Sequence, residues 1–125
     1  MYYLKKRITI AGAHQLKLPY TSKCNNLHGH NWIIEVTVHA YHVNENGMVV
    51  DFTQIKNQVM KLDHSNLNDH LLQPTAENIA KWILDDINDL LDSDIDSFRR
   101  GTKCIRVTVQ ESEGNEVTYE NLQDS

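Results

Sequence analysis

At 125 residues, with 40% hydrophobic and 23% charged side chains, the chain has the size and make-up of one globular domain spanning 1–125. A formal net charge of −5 with no basic stripe speaks against a nucleic-acid binder. No window nears the ~18 consecutive apolar residues of a membrane span, and residues 1–7 lack the apolar stretch of a signal peptide. A cytoplasmic protein without nucleic-acid or membrane partners is expected. Its two cysteines, Cys24 and Cys104, then read as free thiols rather than a disulfide. Acidic clusters such as Asp85-Asp86 read as solvated surface.

Along the chain, Ile8, Ile10, Gly12 and His14 alternate with Thr9, Ala11 and Ala13, which predicts a strand ending near His14. The polar, proline-containing stretch 18–26 predicts a loop. His28, His30, Trp32, Ile34, Val36 and Val38 then share one parity, against mostly polar Asn31, Glu35, Thr37 and His39. This is a second strand with one buried face, and it puts His39 on the surface side. Residues 44–47 form a turn, and 48–50 return briefly as extended chain.

A helix is expected from Thr53 as N-cap, with Ile55, Val59 and Leu62 inward. A longer one opens at Pro74-Thr75, with Ile79, Trp82, Ile83, Ile87, Leu90 and Leu91 as its apolar stripe. Ile105, Val107 and Val109 mark a third strand facing inward, with Cys104 on its outward parity, and Glu113-Gly114-Asn115 turns it into a last strand at 117–120. The order ββααββ argues an α+β domain, a four-stranded antiparallel sheet with both helices on one face. An open sheet with so long a Val- and Ile-rich strand would expose pairing edges, which closure of several sheets into one barrel removes.

The first chemical signal is His28-Gly29-His30. Two residues apart on a strand, both imidazoles point to one face and can reach one ion. His14 ends the other strand on the parity of Ile8 and Ile10, so side-by-side pairing would bring three imidazoles together. Three protein ligands leave a fourth position for water or substrate, the catalytic arrangement for zinc. The competing reading is surface or core histidines that happen to alternate. Cys24, in a loop between Lys23 and His28, reads as a reactive thiol; the alternative is a fourth ligand in a closed structural site. Asp63-His64 sets a carboxylate beside an imidazole, a pairing that can raise its basicity but also arises by chance. Glu111 continues the inward parity of Ile105, Val107 and Val109, so its charge needs a partner, either a core cation or a ligand with paired N–H donors.

Together these segments resemble the 6-pyruvoyl-tetrahydropterin synthase superfamily along nearly the whole chain. Ile10-Ala11-Gly12-Ala13-His14 looks like its first-strand motif, and Lys23-Cys24-Asn25-Asn26-Leu27-His28-Gly29-His30-Asn31 like its cysteine and HGH signature. Val50-Asp51-Phe52 resembles its helix entry, and Leu62-Asp63-His64-Ser65-Asn66-Leu67-Asn68 its Asp-His motif. Pro74-Thr75-Ala76-Glu77-Asn78 and Val109-Gln110-Glu111 complete the series. Gly12 stands where alanine is usual and Gln15 where arginine is frequent.

The resemblance implies the tunnelling fold, in which such subunits form barrel-like trimers that stack into a homohexamer with active sites between subunits. It implies zinc held by His14, His28 and His30, with Cys24 as a proton-transferring thiol and Asp63 and His64 as the rest of the relay. It implies Glu111 as the pterin anchor, accepting two hydrogen bonds from the 2-amino group and ring N–H, with Thr75 also binding substrate. Three residues separate Cys24 from His28, as in the bacterial 6-carboxy-tetrahydropterin synthases of queuosine biosynthesis. The implied reaction takes 7,8-dihydroneopterin triphosphate to 6-carboxy-5,6,7,8-tetrahydropterin with release of acetaldehyde and triphosphate. The other two readings are a pyruvoyl-forming synthase on the same fold and a non-enzymatic zinc- or pterin-binding module.

Overall fold

The two long alternating segments form β1 (Tyr2–His14) and β2 (His28–Ala40), 13 residues each, paired antiparallel from Tyr2 opposite Ala40 to His14 opposite His28. This computed structural model describes residues 1–122. β2 also pairs with β4 (Lys103–Ser112), and β4 with β5 (Asn115–Glu120), all antiparallel. Between them run α1 (Phe52–Met60), β3 (Ser65–Asn66), α2 (Ala76–Ser93) and α3 (Ile95–Arg99). The fold is α+β, as expected. To the four antiparallel strands it adds β3, which pairs parallel to β1 at Gly12 and Ala13 and makes the sheet order β3-β1-β2-β4-β5.

One face of the sheet and the inner faces of α1 and α2 make the core. Ile8 and Ile10 on β1, Trp32, Ile34, Val36 and Val38 on β2, and Val107 and Val109 on β4 meet Ile55, Val59, Ile79, Ile83, Ile87 and Leu91 from the helices. Each such side chain, removed from water, contributes about 1.5–3 kcal/mol. Leu84 is buried as well, whereas Leu90 is only half-buried, so the stripe on α2 turns slightly from its expected position.

Several local expectations are corrected. The cap of α1 is Asp51, whose carboxylate accepts the Thr53 N–H at 2.9 Å; Thr53 lies in the first turn. Residues 48–50 form no strand. The Asn44 side chain takes the Met48 N–H, and the Arg100 guanidinium takes the Val49 carbonyl at 2.8 Å. Arg100 also reaches the His42 carbonyl and Asp96, so a buried cation closes the β2–α1 connection.

Cys104 points inward, because the register shifts between Thr37 and Val38 so that Arg106 faces Thr37 and Cys104 faces Val38. Such a bulge inverts side-chain parity beyond it. Asn88 of α2 bonds both the N–H and the carbonyl of Cys104, at 2.8 and 2.9 Å, and burial pushes that thiol up to about 12. His39 is also buried, at 3% exposure, with its ring between those of Tyr3 and Tyr41 at centroid distances of 6.0 and 6.4 Å. Two aromatic neighbours cover what alternation alone assigned to solvent.

Candidate metal centre and active site

Strand register alone brings the three histidines together. His14 stands opposite His28, and Gly12 opposite His30, at the shared end of β1 and β2. The ring centroids lie 4.5 Å apart for His14 and His28, 4.8 Å for His28 and His30, and 5.2 Å for His14 and His30. Trp32, two residues along the same parity, is fully buried beneath them and meets His14 and His30 edge-on. Its indole N–H donates to the Gly12 carbonyl at 3.1 Å. A Cβ at Gly12 would stand 3.3 Å from Leu67, so the glycine here allows the chain after α1 to press close against β1.

The outer nitrogens of two rings are fixed by backbone. His14 Nδ1–H donates to the Pro74 carbonyl and His28 Nδ1–H to the Asn26 carbonyl, each at 2.7 Å. A carbonyl can only accept, so in the neutral rings the lone pairs sit on Nε2. Those two Nε2 atoms face each other at 3.0 Å. Burial holds His14 below the ordinary histidine pKa, which favours the neutral, ligating form. Nε2 of His30 is buried and has no hydrogen-bond partner among the described residues. Lone pairs converging in this way suit a shared cation, and the donor set fits a metal ion.

Glu111 joins this group. Its Oε1 lies 2.9 Å from His30 Nε2, outside hydrogen-bonding alignment, and 3.7 Å from His14 Nε2. One ligand atom from each of His14, His28, His30 and Glu111 lies within 4.8 Å of the others. The sequence set Glu111 apart from the metal ligands. A register shift in β4 between Gln110 and Ser112 leaves Glu111 without a partner on β5, and the inward parity it shares with Val107 and Val109 turns its carboxylate toward the histidines.

Cys24 is not a member of the group. It sits half-buried in a 3-10 turn, Lys23–Asn25, whose cap Ser22 accepts the Cys24 N–H at 3.1 Å.

Asp63 and His64 follow α1 and are tied to β1. Asp63 Oδ1 accepts the Ala11 N–H at 2.8 Å, and the His64 N–H donates to the Ala11 carbonyl at 2.7 Å. The other carboxylate oxygen lies 3.5 Å from His64 Nε2. His64 is a non-glycine residue at φ 52°, a left-handed conformation that costs about 1–2 kcal/mol. The geometry turns its side chain, 81% exposed, toward a cleft of about 420 Å³ whose walls include Ala11, Ala13, His30 and Ser65. Of the converging histidines His30 alone borders this cleft, together with Gly29 and Asn31 of β2. Thr75 caps α2 by accepting the Asn78 N–H at 3.1 Å, while Pro74 before it supplies the carbonyl that holds His14.

Residues 3–122 match the family described as 6-pyruvoyl tetrahydropterin synthase. The chain belongs to that family. It is 28% identical over 127 residues to the 6-carboxy-5,6,7,8-tetrahydropterin synthase of Bacillus subtilis, covering 94% of this chain and 84% of that protein. To the protein of the same name in a Synechocystis strain it is 38% identical over 94 residues, 66% of this chain and 72% of that one. The fold superimposes on the 6-pyruvoyl tetrahydropterin synthase of Caenorhabditis elegans with a TM-score of 0.70 at 24% identity, covering 96% and 95% of the two chains. In this 6-pyruvoyl tetrahydropterin synthase family member, sequence motifs point to the three histidines. They do not reveal Trp32 as the floor of the site, though it shares the histidines' parity. Two backbone carbonyls, of Asn26 and Pro74, have no side-chain signature at all.

Proposed function

We propose that this chain is a zinc-dependent 6-carboxy-5,6,7,8-tetrahydropterin synthase, converting 7,8-dihydroneopterin triphosphate and water to 6-carboxytetrahydropterin, acetaldehyde and triphosphate. The observation that carries the reading is the convergence of the His14, His28 and His30 Nε2 atoms, with His64 bordering the same cleft as His30. The three-residue spacing from Cys24 to His28 and the names of the bacterial relatives favour the carboxy-forming product over the pyruvoyl one.

His14, His28 and His30 would hold the zinc, with two rings kept in the ligating tautomer by Pro74 and Asn26. When bound, zinc polarises oxygens of the substrate side chain and so acidifies neighbouring C–H groups. Cys24 would take such a proton as thiolate. His64 would carry protons on the opposite side, with Asp63 fixing its orientation from the β1 backbone. Glu111 would orient the pterin by accepting two N–H donors, drawn away from His30 as the ring arrives. Thr75 would border the same pocket.

The exposure of His64 in the single chain supports an active site completed by a further copy, and the sheet ends, at β5 and the two-residue β3, leave backbone edges that a multi-subunit barrel would pair. We infer a homohexamer acting in the cytoplasm in queuosine biosynthesis. The test is incubation with 7,8-dihydroneopterin triphosphate. Acetaldehyde equimolar with triphosphate is expected; triphosphate alone, with the three-carbon side chain retained, marks the pyruvoyl-forming reaction and overturns the reading.

A further inference from the structure

β1 does not lose its hydrogen bonds where its ladder ends at His14. The N–H and carbonyl of Gln15 are both taken by one side chain, Asn68, at 2.8 Å each. Two residues on, the N–H and carbonyl of Lys17 are both taken by Gln73, at 3.0 and 3.2 Å. A side-chain amide offers one acceptor and two donors in nearly the arrangement of a peptide group. Spaced two residues apart, the pair stands in for a neighbouring strand along one edge of this segment. The other edge serves Cys24: the intervening Leu16 N–H donates to the Cys24 carbonyl at 2.7 Å, and the Gln15 side chain donates to the Asn25 carbonyl at 2.7 Å. Asn25 in turn accepts the Leu18 N–H at 3.0 Å.

Residues 15–18 therefore form a strap between two groups. On one side is the chain after α1, which carries Asp63 and His64 and is anchored by fully buried Leu67 against Gly12. On the other is the turn that carries Cys24, which contributes no buried residue of its own to the core. A 3-10 turn of three residues with none of them buried has little intrinsic stability, and its placement depends on these bonds.

We propose that Asn68, with Gln73 and Gln15, is a positioning residue that holds the Cys24 thiol in place, so that both halves of the proton relay are set by the segment 63–73. Gln15, which departs from the arginine frequent at this position, contributes a side-chain bond that reaches the Cys24 turn directly, to the Asn25 carbonyl. The inference rests on the reading of Cys24 as a proton carrier, but its primary test does not need turnover.

That test is the rate at which iodoacetamide alkylates Cys24 in the folded protein, read by peptide mass spectrometry. Buried Cys104 reports in the same sample whether the fold is intact. Asn68→Ala is expected to speed labelling of Cys24 about tenfold by releasing two hydrogen bonds, with Cys104 still protected. Asn44→Ala, which removes two comparable amide–backbone bonds from a distant turn, should label like the wild type. In the catalysed reaction Asn68→Ala should lower kcat about tenfold with KM within about twofold.

Unchanged Cys24 labelling in Asn68→Ala overturns the proposal, as does an equal rise in Asn44→Ala or a faster-labelled variant with undiminished kcat. Should Asn68→Ala expose Cys104, Gln15→Ala takes its place under the same criteria. Absence of turnover in the wild type itself would instead refute the enzymatic reading and leave the labelling result standing.

Discussion

The Nε2 atoms of His14 and His28 face each other at 3.0 Å while each ring donates its Nδ1 hydrogen to a backbone carbonyl. Two neutral imidazoles in that arrangement oppose lone pair to lone pair, and a shared cation turns the repulsion into ligation. Metal removal should therefore cost stability as well as activity. We expect chelation to lower Tm, by about 3–5 °C for each ~1 kcal/mol of binding energy lost from a domain of this size. Restoring zinc should restore it. Differential scanning fluorimetry with and without chelator reads this directly.

Cys24 lies outside the converging group. Cys24→Ala should therefore retain metal stoichiometrically while turnover falls by about 10²–10⁴-fold, the usual contribution of a positioned proton-transfer group. A variant that lost its metal would make Cys24 a fourth ligand and favour the non-enzymatic module. Metal analysis alongside the acetaldehyde assay separates the two.

His64 holds a backbone conformation that only glycine adopts without strain. His64→Gly should be more stable than His64→Ala by about 1 kcal/mol in urea denaturation. Both should lose the relay. Equal stability of the two variants would mean that the strain is relieved in solution by a different backbone at this residue.

Glu111→Gln replaces an acceptor oxygen with a donor. Pterin binding should weaken by about 2–4 kcal/mol, roughly 30- to 1,000-fold. Because Oε1 lies 2.9 Å from His30 Nε2, metal affinity should fall too, though by less than on loss of a histidine. Titration of the variant with metal and with a dihydropterin measures both effects.

His39 lies buried, with Nε2 lacking a hydrogen-bond partner among the described residues, and burial lowers its pKa from the ordinary 6.5. The unfolded chain then binds the proton more readily than the folded one. Stability from this residue is full above pH 6.5 and is lost as pH falls below it toward the folded-state value. His39→Phe should flatten the fall of Tm between pH 7 and 5, measured on both proteins with metal bound.

The sheet and its helices were legible because alternation and helical spacing report burial on one face, and Ile34, Val36, Ile83 and Ile87 obey both patterns. The converging histidines were legible for the same reason, since parity puts His14, His28 and His30 on one face. Parity failed where the ladder slips. The bulge between Thr37 and Val38 turned Cys104 inward, whereas Glu111 kept the inward parity of Val107 and Val109 and only its nearness to the histidines went unforeseen. Parity failed again at His39, covered by two tyrosines that no local pattern predicts. The strap of Asn68 and Gln73 was invisible because it joins residues more than 50 positions apart through side chains that read as loop polarity.

On the proposed function, His14, His28 and His30 together hold one catalytic metal ion. Competition of metal-free protein against a calibrated zinc chelator near neutral pH tests it most directly, in the wild type and in the three single histidine-to-alanine variants. One ion per chain is predicted, with affinity reduced more than about 100-fold in each variant, beyond what loss of a supporting hydrogen bond to a ligand produces. Wild-type stoichiometry and affinity in His14→Ala or His28→Ala would contradict it.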